Sequence, residues 1–437
     1  MSVSEIYLDD LQEWERHSPE YEDRLCGLSL GDDSAVHDQV KRLSPKIEIL
    51  ELRKGLFIRT RSHVGRIKLG KIRITIRPKV RGIRLLRLLR YAYQLRDLQP
   101  AVGFATELDS FEDLLIGQLG REAEDLVSRG LHRKYIRVPE VLSIPRGRID
   151  IQRIARRHEM HKAALPCIYY PRIENCLVNQ VLLAGLHLGA RVTESDSLRM
   201  ELRRLATLLQ ANVSLIRLDQ NALGRCHREM DRLTTAYLPS LNIIEILLQS
   251  KGISLKSGEP AVELPGFLFD MNLFFQELLH RFLKDNLEDY TVKYQHELKN
   301  VLTYVDGYNP TNRPSPVLIP DFAIMSKCKV VSLLDAKYRD IWELGLGEKW
   351  LYQLAVYALS QDRGGYSTIL YPTVHNGAKE ARIQINEPAI GPNRAQVVLR
   401  PVNLVKLDDL LCGPQTVIQQ RRRGEYARQL AFGEELK

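Results

Sequence analysis

The sequence of 437 residues lacks several features that mark common classes of protein. Its six cysteines form no Cys-x-x-Cys pair, so neither a zinc site nor a disulfide framework is predicted. No Gly-x-x-x-x-Gly-Lys-Ser/Thr loop occurs, which excludes nucleoside triphosphate hydrolysis by that route. The amino terminus has no signal-peptide pattern, and no apolar run approaches the ~20 residues that span a bilayer. We therefore expect a cytoplasmic protein that does not enter a membrane.

What the chain has is length, apolar content and an excess of positive charge. At 437 residues it exceeds one ordinary domain, and its hydrophobic fraction of 44% is sufficient for more than one core. The formal net charge of +9 favours a polyanionic partner such as nucleic acid, although a modest basic excess also serves solubility. Charge alone leaves these two explanations equal.

Changes in residue pattern along the chain predict an α+β multidomain protein. Residues 1–105 are typical of a β-rich N-terminal domain, in which Gly70 and Lys71 separate the two alternating stretches of a hairpin. Residues 106–250 repeat leucine at three- and four-residue intervals, which predicts a mainly helical middle region. Residues 251–263 are rich in Gly, Ser, Lys and Pro and form the predicted linker. Residues 264–437 form the predicted C-terminal α/β domain.

The most informative motif lies in this C-terminal segment. Asp321 follows a proline, and a later apolar run ends in Asp335-Ala336-Lys337. A run that is apolar on both faces is typical of a buried central strand, so its charged end is expected at a sheet edge. Two carboxylates on neighbouring strands can hold a divalent cation there through hard oxygen ligands. A single Asp-x-Lys also occurs on solvated sheet edges, so the surrounding sequence decides between the two interpretations.

Lys337 indicates which reaction the motif could catalyse. It stands two positions after Asp335 and therefore lies on the same face of the strand. There its ammonium can position an attacking water, or offset charge on a phosphate, while a metal stabilises the developing oxyanion. This is chemistry for cutting a phosphodiester bond.

Two flanking segments are predicted as helices. One runs from Phe269 to Leu279 before the motif, and the other from Lys349 to Ala358 after it. In the second helix Gln353 and Tyr357 are four positions apart and share one face, so both are predicted to support the site.

The order of helix, Pro-Asp, Asp-x-Lys and Gln-x-x-x-Tyr resembles the PD-(D/E)xK nuclease superfamily in its RecB-like arrangement. More narrowly, Asp-Met-Asn at 270–272, Asp-Ala-Lys-Tyr at 335–338 and Leu-Tyr-Gln-Leu at 351–354 are similar to the McrC family. These proteins are the nuclease subunits of McrBC-type modification-dependent restriction systems. Val-Gly-Arg-Ile at 64–67 and the stretch 74–80 are similar to the family's N-terminal pattern, so the resemblance extends roughly from residue 50 to residue 375.

The resemblance implies a C-terminal PD-(D/E)xK endonuclease domain and an N-terminal domain that docks on a separate motor. That motor is an McrB-like AAA+ GTPase hexamer, which translocates DNA, and the substrate is modified double-stranded DNA. Asp321, Asp335 and Lys337 are then the catalytic residues. Mg²⁺ is the expected cofactor, held by Asp321, Asp335 and the carbonyl of Ala336.

One position departs from the superfamily pattern. The glutamate that many members carry in the first helix falls on Gln276, whereas Glu277 is rotated from it by about 100°. Either Glu277 serves through a local shift of register, or the two aspartates suffice. Two other functions stay open: a RecB-like repair nuclease without a GTPase partner, and a non-catalytic adaptor that only stimulates the motor.

Overall fold

The fold is given by a computed structural model, which describes residues 4–9, 25, 27–31, 33–44, 46–53, 55–78, 80, 82–96, 111–157, 164–250, 266–327, 329–339, 341–361, 364–387, 391–413 and 416–433. The chain divides into two compact units. The first contains Met1–Phe111 together with Ser250–Lys437, and the second contains Glu112–Gln249. This grouping differs from the predicted one, because the N-terminal and C-terminal segments belong to the same unit. The predicted linker at 251–263 lies outside the described residues.

Short strands and helices form the N-terminal part of the first unit. They are β1 (Ser4–Asp9), α1 (Ser34–Leu43), β2 (Ile47–Leu52), β3 (Gly55–Thr60), β4 (His63–Leu69), β5 (Ile72–Arg77) and α2 (Gly82–Ala92). Buried and more exposed residues alternate along β4 and β5, which pair antiparallel around Gly70 at φ +56°. This confirms the predicted hairpin.

The second unit combines helices with small sheets. The elements between residues 111 and 250 are α3 (Phe111–Arg129), β6 (Lys134–Tyr135), β7 (Val138–Leu142), β8 (Arg148–Ile149), α4 (Ile151–Arg157), β9 (Leu165–Tyr169), β10 (Arg172–Ile173), α5 (Leu177–Val192), α6 (Asp196–Gln210), α7 (Gln220–Arg228), a 3-10 turn (Thr235–Tyr237) and α8 (Leu238–Ser250). The segment is therefore mainly helical, and strands β6 to β10 pair among themselves.

The C-terminal part of the first unit begins with a strand. Its elements are β11 (Gly266–Asp270), α9 (Met271–Asn286), β12 (Thr291–Tyr294), β13 (Phe322–Ser326), β14 (Lys329–Ala336), α10 (Ile341–Leu344), α11 (Glu348–Leu359), β15 (Gly365–Thr373), β16 (Ala381–Glu387), β17 (Gly391–Asn403), α12 (Leu404–Cys412) and α13 (Val417–Phe432). The helix predicted from Phe269 was wrong at its start. Asp270 caps the helix, because its Oδ1 accepts the N–H of Asn272 at 2.9 Å.

A six-stranded sheet forms the core of this part, in the order β12-β13-β14-β15-β17-β16. Strands β14, β15 and β17 run parallel to one another, and the remaining pairs are antiparallel. On one face Leu354 and Tyr357 of α11 pack with Leu333 and Ile369. The opposite face contacts α13, since Ser332 Oγ donates to a carbonyl of that helix at 2.9 Å.

A second sheet, in the order β1-β5-β4-β11, joins the two ends of the first unit. Strand β11 pairs antiparallel with β4, so residues 266–270 complete a sheet whose other strands lie before residue 78. Gly65 and Gly266 allow the close approach at φ +129° and +140°. A Cβ on Gly65 would lie 2.2 Å from the carbonyl oxygen of Phe267, which excludes any other residue there. In the part of the chain that the structure describes, no helix is long and apolar enough to cross a membrane.

Candidate active site

The two predicted aspartates meet at one edge of the six-stranded sheet. Asp321 directly precedes β13, and Asp335 is the penultimate residue of β14. The two strands run antiparallel with Phe322 opposite Leu334, so the start of one lies beside the end of the other. Asp335 is only 3% exposed, and its carboxylate therefore lies in a largely desolvated position.

Lys337 lies between the two carboxylates. Its Nζ is 2.7 Å from Oδ2 of Asp335 and 3.7 Å from Oδ2 of Asp321. The strand alternation thus places the lysine on the predicted side. One ammonium faces two carboxylates, so the group carries an excess of one negative charge when all three are ionised.

The pKa values of the three groups reflect this excess. Burial raises the pKa of Asp335 to about 6; the charge of Asp321 adds to the rise, and Lys337 opposes it. Burial also raises the pKa of Asp321, against the effect of Lys337. Burial alone would lower the pKa of Lys337, but the two carboxylates raise it above its ordinary value. A divalent cation would offset the negative charge that the lysine leaves uncompensated.

Three consecutive backbone N–H groups of the motif are held by three different elements. The N–H of Ala336 donates to Oδ2 of Asp321 at 2.8 Å, and the N–H of Lys337 donates to the carbonyl of Leu370 at 3.0 Å. The N–H of Tyr338 donates to Oδ1 of Asn272 at 2.9 Å. The acceptors belong to the start of β13, to β15 and to the first turn of α9. The backbone that carries the lysine is therefore fixed from three sides.

Helix α11 contributes the predicted Gln353 and Tyr357. Nε2 of Gln353 donates to the hydroxyl of Tyr357 at 2.7 Å, and the tyrosine is 2% exposed. Burial raises the pKa of Tyr357, and the charges of Asp335 and Asp321 raise it further. The charges of both aspartates therefore act on the tyrosine hydroxyl.

Helix α9 brings Gln276 into contact with Asp321. The amide of Gln276 donates a hydrogen bond to Asp321. The carboxylate of Glu277 instead accepts the hydroxyl of Tyr294, whose pKa rises to about 12 through burial and the charges of Glu277 and Asp321. One helical position rotates a side chain by about 100°, which separates the two directions. A role for Glu277 at the metal stays a prediction.

Sequence reasoning did not find Tyr294, Asn272 or Ser62 as neighbours of the site. Asn272 stands in the Asp-Met-Asn motif, so the family resemblance was a signal that could have identified it. Tyr294 is on β12, and Ser62 precedes β4. Neither has a spacing to the Asp-x-Lys motif that predicts a contact.

The donor groups of the site suit a hard cation. Carboxylate oxygens are the ligands that Mg²⁺ prefers, and Asp321 and Asp335 supply them. Within the described ranges no group of three or more His, Cys, Asp and Glu side chains is arranged to hold a metal. The N–H of Ala336 is bonded to Asp321, and the role of its carbonyl as a ligand stays a prediction.

A comparison with protein families identifies the chain. The model described as "McrBC 5-methylcytosine restriction system component" matches residues 58–372, well over half of the sequence. The chain belongs to the McrBC family. This confirms the resemblance drawn from the motifs. No curated protein matches the chain at a significant level.

Chains from two solved McrBC assemblies are similar to this chain. A chain of the refined half-complex from a tetradecameric assembly of Thermococcus gammatolerans McrB AAA+ hexamers with bound McrC is similar at 18% identity and a TM-score of 0.58. That match covers 97% of this chain and 99% of the other. A chain of the Thermococcus gammatolerans McrBC complex matches at 18% identity and a TM-score of 0.46, over 65% of this chain and 88% of the other. The first likeness shows that the two chains share their overall architecture.

Proposed function

We propose that the protein is the Mg²⁺-dependent endonuclease subunit of a McrBC-type restriction system and cuts modified double-stranded DNA. The observation that carries the proposal is the pair of buried aspartates with one lysine between them. The order α9, β12, β13, β14, α11, β15 supports assignment of this part of the chain to the PD-(D/E)xK nuclease fold.

Asp321 and Asp335 are the residues that would hold the metal, because their oxygens converge and share an excess of negative charge. Bound Mg²⁺ would supply Lewis-acid stabilisation of charge on the phosphate oxygens. Lys337 has a raised pKa and is protonated at neutral pH, so it acts as a hydrogen-bond donor and a cation and not as a base. It therefore holds the attacking water or offsets charge on the scissile phosphate.

We assign nucleotide hydrolysis to a separate AAA+ GTPase hexamer on which this chain docks through residues 1–105. The sequence contains no phosphate loop of its own. The similar chain comes from an assembly of McrB AAA+ hexamers with bound McrC. The net charge of +9 is consistent with DNA as the second partner.

A non-catalytic adaptor that only stimulates the motor is the second candidate. The observation that favours it is Gln276, which occupies the place of the superfamily's metal-binding glutamate and contacts Asp321. Membership of the McrBC family argues against the other alternative, a RecB-like repair nuclease that acts without a GTPase.

The test is to purify the chain with the AAA+ protein encoded beside it and to incubate both with DNA, GTP and Mg²⁺. We expect cleavage of DNA that contains 5-methylcytosine and not of unmodified DNA. Asp335→Ala should abolish cleavage while GTP hydrolysis by the motor remains stimulated, because the substitution removes a metal ligand and leaves the rest of the chain intact.

The matched control is Asp289→Ala, since this aspartate is 76% exposed and lies outside the site. It should cut at the wild-type rate. Wild-type cleavage by a folded Asp335→Ala protein would refute the proposed site. Stimulated GTP hydrolysis without any cleavage by the wild-type chain would establish the adaptor instead.

A further inference from the structure

One side chain of the Asp-Met-Asn stretch at residues 270–272 connects the site to the N-terminal sheet. Oδ1 of Asn272 accepts the N–H of Tyr338 at 2.9 Å, and its Nδ2 donates to Oγ of Ser62 at 2.7 Å. Tyr338 follows Lys337, and Ser62 directly precedes β4. A single amide therefore joins the backbone of the lysine to the edge of the other sheet.

Asn272 is itself held in place by its surroundings. Its backbone N–H donates to Oδ1 of the N-cap Asp270 at 2.9 Å. The neighbouring N–H of Met271 donates to the carbonyl of Ser62 at 2.8 Å. Ser62 is 8% exposed, and Asp270 pairs with His63 in the β4–β11 ladder. The first turn of α9 is thus fastened to β4 by both the carbonyl and the hydroxyl of one serine.

The hydrogen bond between the N–H of Tyr338 and Asn272 helps to fix the position of Lys337, the preceding residue. Tyr338 is 2% exposed, and its ring packs edge-on against Phe275 with centroids 6.1 Å apart. A buried N–H without an acceptor is costly, so loss of the Asn272 amide would turn this backbone toward another acceptor. The separation of 2.7 Å between Nζ of Lys337 and Asp335 would then no longer be maintained.

We propose that Asn272 is a positioning residue for Lys337, and that Ser62 acts on the lysine only through Asn272. The proposal rests on the proposed nuclease function and adds that the reactive lysine depends on β4 for its placement. The N–H of Ala336 binds Asp321, and this contact does not involve Asn272. Loss of Asn272 therefore slows cleavage and leaves the Mg²⁺ requirement unchanged.

The experiment measures single-turnover cleavage against Mg²⁺ concentration with the full chain and its motor. Asn272→Ala should lower the rate at saturating Mg²⁺ by about 10–100-fold, the range typical of groups that orient catalytic residues, with half-saturation within about twofold of wild type. Ser62→Ala should lower the rate less, by about 3–10-fold. The double variant should be no slower than Asn272→Ala alone, because the serine acts through the amide.

The matched control is Asn286→Ala, which removes an amide donating to the carbonyl of Phe282 at 2.8 Å at the far end of the same helix. It should cut at the wild-type rate. Asn272→Asp keeps the acceptor for the N–H of Tyr338 and replaces the donor to Ser62 by an oxygen to which the serine hydroxyl can turn and donate, so it should retain most of the activity. Ser62→Ala and Asn272→Asp decide the question if Asn272→Ala proves unstable.

Three results would overturn the proposal: multiplied losses in the double variant, an equal loss in Asn286→Ala, or an Mg²⁺ half-saturation that shifts with the rate. Unchanged cleavage by folded Asn272→Ala would do the same while leaving the nuclease assignment intact. A wild-type chain that does not cut refutes the nuclease assignment, and the positioning role falls with it.

Discussion

Two buried aspartates of the first unit, Asp335 and Asp408, have opposite electrostatic surroundings. Asp408 in α12 is 0% exposed. Its carboxylate accepts hydrogen bonds from Nε of Arg87, at 2.9 Å, and from Nη2 of the same side chain, and Nε of Arg84 lies 3.8 Å away. Two cations thus face one carboxylate. At the sheet edge two carboxylates face one ammonium. The first arrangement joins α2 to α12, whereas the second has an uncompensated negative charge that a divalent cation can offset.

The difference indicates how to separate a structural ion pair from a functional one. Burial alone does not distinguish them, since both aspartates are almost fully enclosed. The sign of the uncompensated charge around each aspartate does distinguish them. A buried carboxylate whose negative charge is not balanced by nearby cations in the folded chain is a candidate site for binding a cation.

Asp335→Asn should produce the largest effect and tests the functional side of the comparison. The amide is a poor metal ligand, so we expect the cleavage rate to fall by about 1,000-fold, equivalent to about 4 kcal/mol of transition-state stabilisation. Removing one of two repelling carboxylates should also raise the free energy of unfolding by about 1 kcal/mol without metal. Cleavage assays and chemical denaturation measure the two quantities. If Asp335→Asn were less stable than wild type and still cut DNA, Asp335 would be the structural aspartate and not the functional one.

Asp408→Asn tests the structural side. It removes the carboxylate that Arg84 and Arg87 share and should lower the free energy of unfolding by about 1–2 kcal/mol, since both guanidiniums retain contact with water. The cleavage rate per folded molecule should stay within about twofold of wild type. Urea denaturation and active-site titration provide the comparison. Loss of cleavage at full stability would place Asp408 in the catalytic machinery.

The pH dependence of stability gives a smaller effect that requires neither DNA nor motor. The pKa of Asp335 is about 6 in the folded chain, above its ordinary value of 3.8. A raised folded pKa stabilises the chain below pH 4, and this contribution is lost as the pH rises through about 6. Mg²⁺ competes with the proton, so it should raise the melting temperature more at pH 8 than at pH 5. At ten times its Kd the gain is about 1.4 kcal/mol.

In Asp335→Asn this Mg²⁺ stabilisation should disappear at both pH values. Equal stabilisation of wild type and variant would mean that the ion binds elsewhere.

The smallest effects concern the adjacent pair Gln276 and Glu277. Gln276→Glu adds a third carboxylate beside Asp321 and should lower the Mg²⁺ concentration at half-maximal cleavage by about 3–10-fold. Glu277→Gln should change that concentration by less than about twofold, because its carboxylate is engaged by Tyr294. A large rise in the requirement for Glu277→Gln would show that Glu277 serves the metal after all.

Local pattern was sufficient to predict the central part of the site. An apolar run that ends in a charge specifies a sheet edge, and two-residue alternation brings Lys337 to the side of Asp335. The pairing of β11 with β4 was not predictable in this way. The periodicity of residues 266–270 can indicate a strand, but it does not indicate which strand pairs with it, and the partner lies some 200 positions earlier. Asp270 was assigned to the first turn of a helix for the same reason, although it caps the helix from the end of that strand.

The late strand β11 also sets an order of events during synthesis. Strands β1, β5 and β4 leave the ribosome early, but their sheet is incomplete until residues 266–270 follow. At ribosomal rates of about 5–20 residues per second, about 200 residues take about 10–40 seconds. Through that interval the edge of β4 offers unpaired hydrogen-bonding groups to any passing strand. When residues 266–270 arrive, the missing Cβ of Gly65 leaves room for the carbonyl oxygen of Phe267, which would lie 2.2 Å from a Cβ at that position.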